Sequence, residues 1–272
     1  MNMIFPTRVG QRFRELRGRQ QKGLIVYLTA GDPSLEATGD LLRAVERAGA
    51  DVIELGVPFS DPIADGPVIQ RASERALRAG ATLRKILDQF PRWRQNVRAP
   101  IILFSYFNPI LQYGLAEFAC AAAQAGVDGA LVVDLIAEEA EAYLRAMRAE
   151  RLDTVFLVSP TSSDARLACA ASASSGFLYL ISRTGVTGER SELASSLPLL
   201  TERARRITSL PLAVGFGIST AAQVREVQSH ADAAVVGSAV VHAIEEQFSQ
   251  GGPAAIEAFV RRLRAGTEDQ PA

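Results

Sequence analysis

The chain has 272 residues, of which 48% are hydrophobic, 22% charged and 7% aromatic. That balance excludes disorder over most of its length, because so much apolar surface offsets the entropy of ordering. With 29 Lys+Arg against 30 Asp+Glu the net charge is -1, which excludes the basic excess of a dedicated nucleic-acid binder.

From the N-terminus, MNMIFPTRVG lacks the apolar core of a signal peptide. The basic run RFRELRGRQQK (12–22) reads as the solvated face of an amphipathic helix over about 6–20. Short Val/Ile/Leu-rich runs then recur at 24–30, 51–56, 100–106, 129–134, 153–159, 176–182, 210–216 and 231–237. They are nearly continuous in apolar character, as parallel strands covered on both faces require. Between them LEATGDLLRAVERAGA, GLAEFACAAAQAG and AEEAEAYLRAMRAE carry apolar residues three and four apart, with glycine stops such as Gly126. No apolar run approaches the roughly 18 residues of a membrane span. Cys120 and Cys169 are too few for a zinc site and read as buried small hydrophobes.

Strand–helix units in this number predict a single (βα)8 TIM barrel, an α/β fold, with an extra N-terminal helix and an insert after the second strand. The whole of 1–272 is expected to form one domain, frayed at about 1–5 and 265–272. A doubly wound open sheet is disfavoured because AGDPS, not a GxGxxG turn, follows the first strand. A cytoplasmic protein with neither nucleic-acid nor membrane partner is expected.

In such a barrel the chemistry sits where the strands end. Glu54 stands late in the second run among Val, Ile and Leu. It either pairs with an arginine or a helix N-terminus, or is an acid–base group whose pKa is raised by desolvation. The stiff Pro- and Gly-rich stretch after it carries Asp61 and Asp65, as turn formers or helix caps, or as a second working carboxylate. SRTGVTGER (182–190) reads as a mobile lid or as a plain surface connection. GFGIST (215–220) and VGSA (236–239), each followed by a helix, either suit a phosphate held by backbone N–H groups or are plain tight βα turns. His230 and His242 read as structural or solvent-facing, Trp93 as packing, and no metal site is expected.

The segments LTAGDP, ELGVPFSDPIADGPVIQ, SYFNP, SRTGVTG, LAVGFGIS and VVGSA stand in the order of the tryptophan synthase alpha subunit family, which the chain resembles from about Arg8 to Arg264. The resemblance implies a lyase that cleaves indole-3-glycerol phosphate to indole and glyceraldehyde 3-phosphate by a retro-aldol reaction. Glu54 then matches the general acid–base residue and Asp65 the carboxylate that bonds the indole N–H. Gly188, Gly217, Gly237 and Ser238 match phosphate-binding positions. Thr187 matches the lid threonine; Tyr27, Ile69, Phe104, Tyr179 and Phe216 fall at or near the indole pocket, with Tyr106 close by. The implied partner is a beta subunit in an alpha2-beta2 complex, docking near Pro58, Asp61 and the SYFNP loop (105–109); pyridoxal phosphate would belong to that partner and no cofactor to this chain. A stand-alone indole-releasing lyase is the alternative. Departures from the family lie at DLIAEEA (134–140) and ADAAVVG (231–237), away from Glu54 and Asp65.

Overall fold

The computed structural model describes residues 7–181, 193–215 and 217–267; the expectations for Thr187, Gly188 and Phe216 fall outside them. The strands are β1 (Gly23–Thr29), β2 (Val52–Gly56), β3 (Ile101–Ser105), β4 (Gly129–Val132), β5 (Asp153–Val155), β6 (Leu157–Val158), β7 (Leu178–Ile181), β8 (Leu212–Gly215) and β9 (Ala233–Val236). All neighbours pair in parallel, in the order β5-β4-β3-β2-β1-β9-β8-β7-β6. The two ends of that order, β5 and β6, are consecutive pieces of one extended segment interrupted at Phe156. The Phe156 carbonyl still accepts from the Tyr179 N–H at 3.1 Å, so the sheet curls round to meet itself. The expected eight strands are thus nine segments, and the fold is a TIM barrel.

The strand pleat divides what looks continuously apolar in sequence. Ile25, Val52, Ile102, Leu131, Val155, Tyr179, Ala213 and Val235 cluster inside the barrel, while Leu24, Val26, Ile53, Leu55, Ile101 and Leu103 pack outward under the helices. The extra helix α1 (Arg8–Gly18), capped by Thr7, closes the amino end of the barrel with Val9, Phe13 and Leu16.

Helices α2 (Leu35–Arg47), α3 (Pro67–Arg78) and α4 (Leu83–Arg94) follow, the last two forming the insert expected after β2. Trp93 packs as read, 5% exposed, against Phe90 and over Gly39 of α2; a Cβ at Gly39 would meet its ring at 2.7 Å. Next come α5 (Phe107–Tyr113), α6 (Leu115–Ala125), α7 (Glu141–Ala149), α8 (Asp164–Ala173), α9 (Leu193–Ile207), α10 (Ala221–Gln228) and α11 (Ser238–Arg264), which bends at Gly252. Gly126 ends α6 in the left-handed region at φ +90°, the glycine stop expected there.

Three details differ from expectation. Cys120 and Cys169 are half-buried, because they lie beside rather than on the apolar stripes of α6 and α8. SYFNP is not a loop after β3: Tyr106 has extended backbone and α5 starts at once, with the Asp134 carboxylate accepting from the Phe107 N–H at 2.7 Å. Residues 265–267, expected as loose tail, form a 3₁₀ turn in which Gly266 lies against the Ala221 carbonyl.

Candidate active site

Glu54 is an inward position of β2, in register with Tyr27 of β1 and Ile102 of β3. It is 1% exposed, and its Oε1 has no hydrogen-bond partner among the described residues. The first sequence alternative, a pairing with arginine, is not what forms: Glu54 takes part in none of the observed ion pairs among the described residues. Burial alone pushes its carboxyl up to about 8, so near neutrality it holds a proton that it can deliver.

Asp65 arrives by a different route. The loop after β2 turns through Asp61–Asp65, the Ile63 N–H bonding the Asp61 carbonyl and the Asp65 N–H the Pro62 carbonyl. Gln70 of α3 donates to the Asp65 carbonyl at 2.8 Å. The carboxylate is 8% exposed and does not cap α3, whose N-cap Gly66 has no side-chain bond. Instead its Oδ2 accepts from the Tyr106 hydroxyl at 3.1 Å, and that hydroxyl accepts in turn from the Ala64 N–H at 3.0 Å. Burial raises Asp65 to about 6 and the Tyr106 bond opposes the rise. Asp61 is exposed, its carboxylate accepts from the hydroxyl of its neighbour Ser60, and it is not drawn into this group.

Aromatic residues wall the space between. Tyr27 meets Phe104 edge to face at 5.3 Å, and both pack with Ile69, Val68 and Ala72 of α3 and Val241 of α11. Burial first, then the nearby carboxylates, raises the Tyr27 and Tyr179 phenols, Tyr27 by Asp65 and Tyr179 by Glu54. Tyr27 is paired in register with Glu54, and Tyr179 belongs to the inward cluster of the barrel. Phe59 stacks on Tyr106 at 4.9 Å.

Two glycines, one of them the first residue of GFGIST, make this pocket possible in a way the sequence did not show. A Cβ at Gly56 would fall 2.0 Å from the Tyr27 hydroxyl, and one at Gly215 would fall 1.9 Å from the Tyr179 hydroxyl. Each tyrosine therefore needs a glycine at the end of the adjacent strand. Only the glycine at a strand end was visible in sequence, not its partner.

At the other side of the mouth, Gly237 caps α11 with no side-chain bond, and Ser238 behind it is exposed. Gly217 turns with φ +76°, a conformation that favours glycine, and is exposed. The two helices expected to aim at one anion differ. Helix α10 has its first turn closed by the Thr220–Gln223 capping box. Helix α11 has no such box, so its N-terminal N–H groups and dipole are the better anion site. Among the described residues no group of three or more His, Cys, Asp and Glu side chains is arranged to hold a metal. His230 is exposed and His242 lies beside Glu245 and Glu246 on α11.

A parallel barrel with carboxylates tuned by burial at its strand ends is the framework of a TIM-barrel acid–base enzyme. The family model described as "Tryptophan synthase alpha chain" matches residues 13–267. The tryptophan synthase alpha chain of Solibacter usitatus is 51% identical over 261 residues, covering 96% of this chain and 98% of its own. That of Geotalea uraniireducens is 47% identical over 262 residues, covering 96% and 98%. The crystal structure of tryptophan synthase subunit alpha from Legionella pneumophila superposes with a TM-score of 0.88 at 36% identity, over 96% of this chain and 98% of that one. An aminoacrylate-bound tryptophan synthase from M. tuberculosis gives 0.86 at 36% identity, over 96% and 100%. The chain belongs to the tryptophan synthase alpha chain family. It is a lyase of tryptophan biosynthesis that cleaves indole-3-glycerol phosphate.

Proposed function

We propose that Glu54 carries both proton transfers of this cleavage and that Asp65 balances the charge created between them. The observation that carries the reading is the buried Glu54 carboxyl, with Oε1 unpartnered and burial raising it to about 8. In its acid form Glu54 protonates C3 of the indole ring. The ring becomes an indoleninium, an electron sink, and its positive N–H lies against the Asp65 carboxylate. The Glu54 carboxylate then removes the proton of the glycerol hydroxyl at the carbon bonded to C3. That carbon becomes the aldehyde, the carbon–carbon bond breaks, and its electron pair restores the aromatic indole. Glu54 gives one proton and recovers one, so nothing else is consumed. This is general acid–base catalysis with an electrostatic partner.

Tyr106 acts on Asp65 rather than on substrate: its hydroxyl holds Oδ2 and opposes protonation of that carboxyl. Tyr27, Ile69, Phe104 and Tyr179 enclose the indole, and Gly217, Gly237 and Ser238 take the phosphate through backbone N–H groups and one hydroxyl. Gly188, Thr187 and Phe216 are assigned by resemblance alone.

The partner is a tryptophan synthase beta subunit in an alpha2-beta2 complex, which would hold the pyridoxal phosphate, leaving this chain without a cofactor. Support comes from Ile63, Leu111 and Ile136, which are 83%, 51% and 44% exposed. They lie beyond the carboxyl ends of β2, β3 and β4, three adjacent strands, so their apolar surface gathers on one side of the mouth. We assign the chain to the cytoplasm as a single barrel domain; no helix among the described residues is long and apolar enough to cross a membrane. The test is indole release from indole-3-glycerol phosphate with and without added beta subunit. Turnover that rises on complex formation is expected. Turnover already high alone and indifferent to the partner would contradict the assignment of the partner.

A further inference from the structure

Behind the pocket, one guanidinium joins three elements. Arg75 of α3 donates through Nε and Nη2 to the two oxygens of Asp32, at 2.8 Å each, and through Nη1 to Glu245 Oε1 of α11 at 2.7 Å. Arg71, one turn earlier, adds bonds of 3.0 and 2.8 Å to Glu245. Asp32 lies just beyond β1, with its side chain 3% exposed, so its charge is bound into the fold. Two salt-linked oxygens held by one planar fork fix distance and orientation together, which a single ammonium contact does not. These same bonds pull Glu245 down to about 2, with Arg71 as the leading cause.

What the fork joins matters more than its strength. Helix α3 starts two residues after Asp65, and Arg75 lies eight residues from its first residue, about 12 Å along the axis. Helix α11 starts at Ser238, and Glu245 lies seven residues on, about 10 Å along. The clamp thus sits about two turns below both helix starts. Between clamp and mouth, Ala72 of α3 and Val241 of α11 pack against Tyr27. Two helix starts, one beside the indole-side carboxylate and one at the anion corner, are set apart by a fixed spacer.

We infer that Arg75 is a positioning residue for the cleavage: through Asp32 and Glu245 it sets the separation between Asp65 and the N-terminus of α11, and so seats the two ends of one substrate molecule at once. This rests on the assignment of Asp65 and the Gly237–Ser238 corner given above. Its signature differs from that of a merely structural contact. Each end of the substrate, offered as a separate molecule, meets an intact half-site. Only the linked molecule feels the wrong spacing, as misplacement of the reacting carbon relative to Glu54.

The experiment uses Arg75→Gln, Arg75→Lys and Glu245→Gln in the full chain, with Asp65→Asn alongside. Binding of indole and of inorganic phosphate is measured separately, together with kcat and KM for indole-3-glycerol phosphate. For Arg75→Gln both half-ligand affinities are expected to stay within about twofold while kcat/KM falls about 10- to 100-fold. Arg75→Lys keeps the charge without the fork and is expected to fall between it and wild type. If Arg75→Gln does not fold, Glu245→Gln, whose residue is 26% exposed, carries the same expectation at about 3- to 10-fold. A folded variant with kcat/KM within twofold of wild type overturns the inference. So does a loss of phosphate affinity that accounts for the whole loss in kcat/KM. If Asp65→Asn is itself fully active, the site assignment fails first, and the two failures are told apart.

Discussion

The two ends of the barrel partner their buried carboxylates in different ways. At the amino ends, Asp51 is 1% exposed and accepts from Arg12 Nε at 3.1 Å, from Arg264, and from the Leu24 N–H at 2.7 Å. Asp128 accepts from the Ile101 N–H at 2.8 Å and lies near two guanidinium groups. Arg8 is at 3.5 Å, and Arg94 at 3.2 Å is close enough to pair by charge, though not aligned as a hydrogen bond. At the carboxyl ends, Glu54 and Asp65 are buried too, yet among the described residues the only side-chain bond to either carboxyl is from the phenol of Tyr106. Arginine at the floor makes charge compatible with folding. Burial still raises Asp128 at the floor to about 6, as it raises Asp65 at the mouth; what sets the mouth apart is Glu54, which meets no guanidinium among the described residues and is raised to about 8, leaving proton affinity high where protons must move. Asp153 is a second raised carboxyl at the floor, without arginine among the described residues. Ser175 donates to it at 2.6 Å, its Oδ2 is unpartnered, and burial raises it to about 6.

Exchanging the character of the two ends by mutation tests this contrast. The largest effect is expected for Glu54→Gln, a loss of about 10²- to 10⁴-fold in turnover with substrate binding retained; single-turnover assays and equilibrium binding measure the two. Asp51→Asn is expected to cost about 3 kcal/mol of stability by denaturant titration, because two guanidinium groups lose their shared partner, while turnover of the folded protein stays unchanged. A large fall in kcat for that variant would erase the distinction between floor and mouth. Asp65→Asn is expected to lower kcat about tenfold, since an amide still accepts the indole N–H but cannot balance its charge.

The smallest effect is a slope of stability with pH. Glu54 releases its proton near 4.5 when unfolded and near about 8 when folded. Between those values the folded state binds more protons, so this group's contribution falls as pH rises across the window. Asp65, raised to about 6 by burial, adds the same sign over its lower part. Thermal unfolding between pH 5 and 8.5 is expected to show Glu54→Gln losing less stability than wild type on the alkaline side.

Much of this was legible in sequence because parallel strands are buried on both faces and leave unmistakable apolar runs. A carboxylate inside one of them, Glu54, stands out for the same reason. The break at Phe156 was not legible, since Val-Phe-Leu-Val reads as one strand whichever neighbour each half joins. Asp65 was visible as a candidate, but the phenol that holds it lies 41 residues away. The glycines at 56 and 215 look like ordinary strand ends until the neighbouring tyrosine is in place. The Arg75 fork, with partners 43 residues before it and 170 after, has no local signal at all.

Burial makes Glu54 the acid. The most direct test of that role is the pH profile of kcat/KM for indole formation, in wild type and in Glu54→Gln. Wild type is expected to rise near pH 6 as Asp65 ionises and to fall near pH 8 as Glu54 loses its proton, while the residual activity of Glu54→Gln lacks the alkaline fall. An alkaline limb that persists unchanged in Glu54→Gln, or turnover in that variant near the wild-type level, would contradict it.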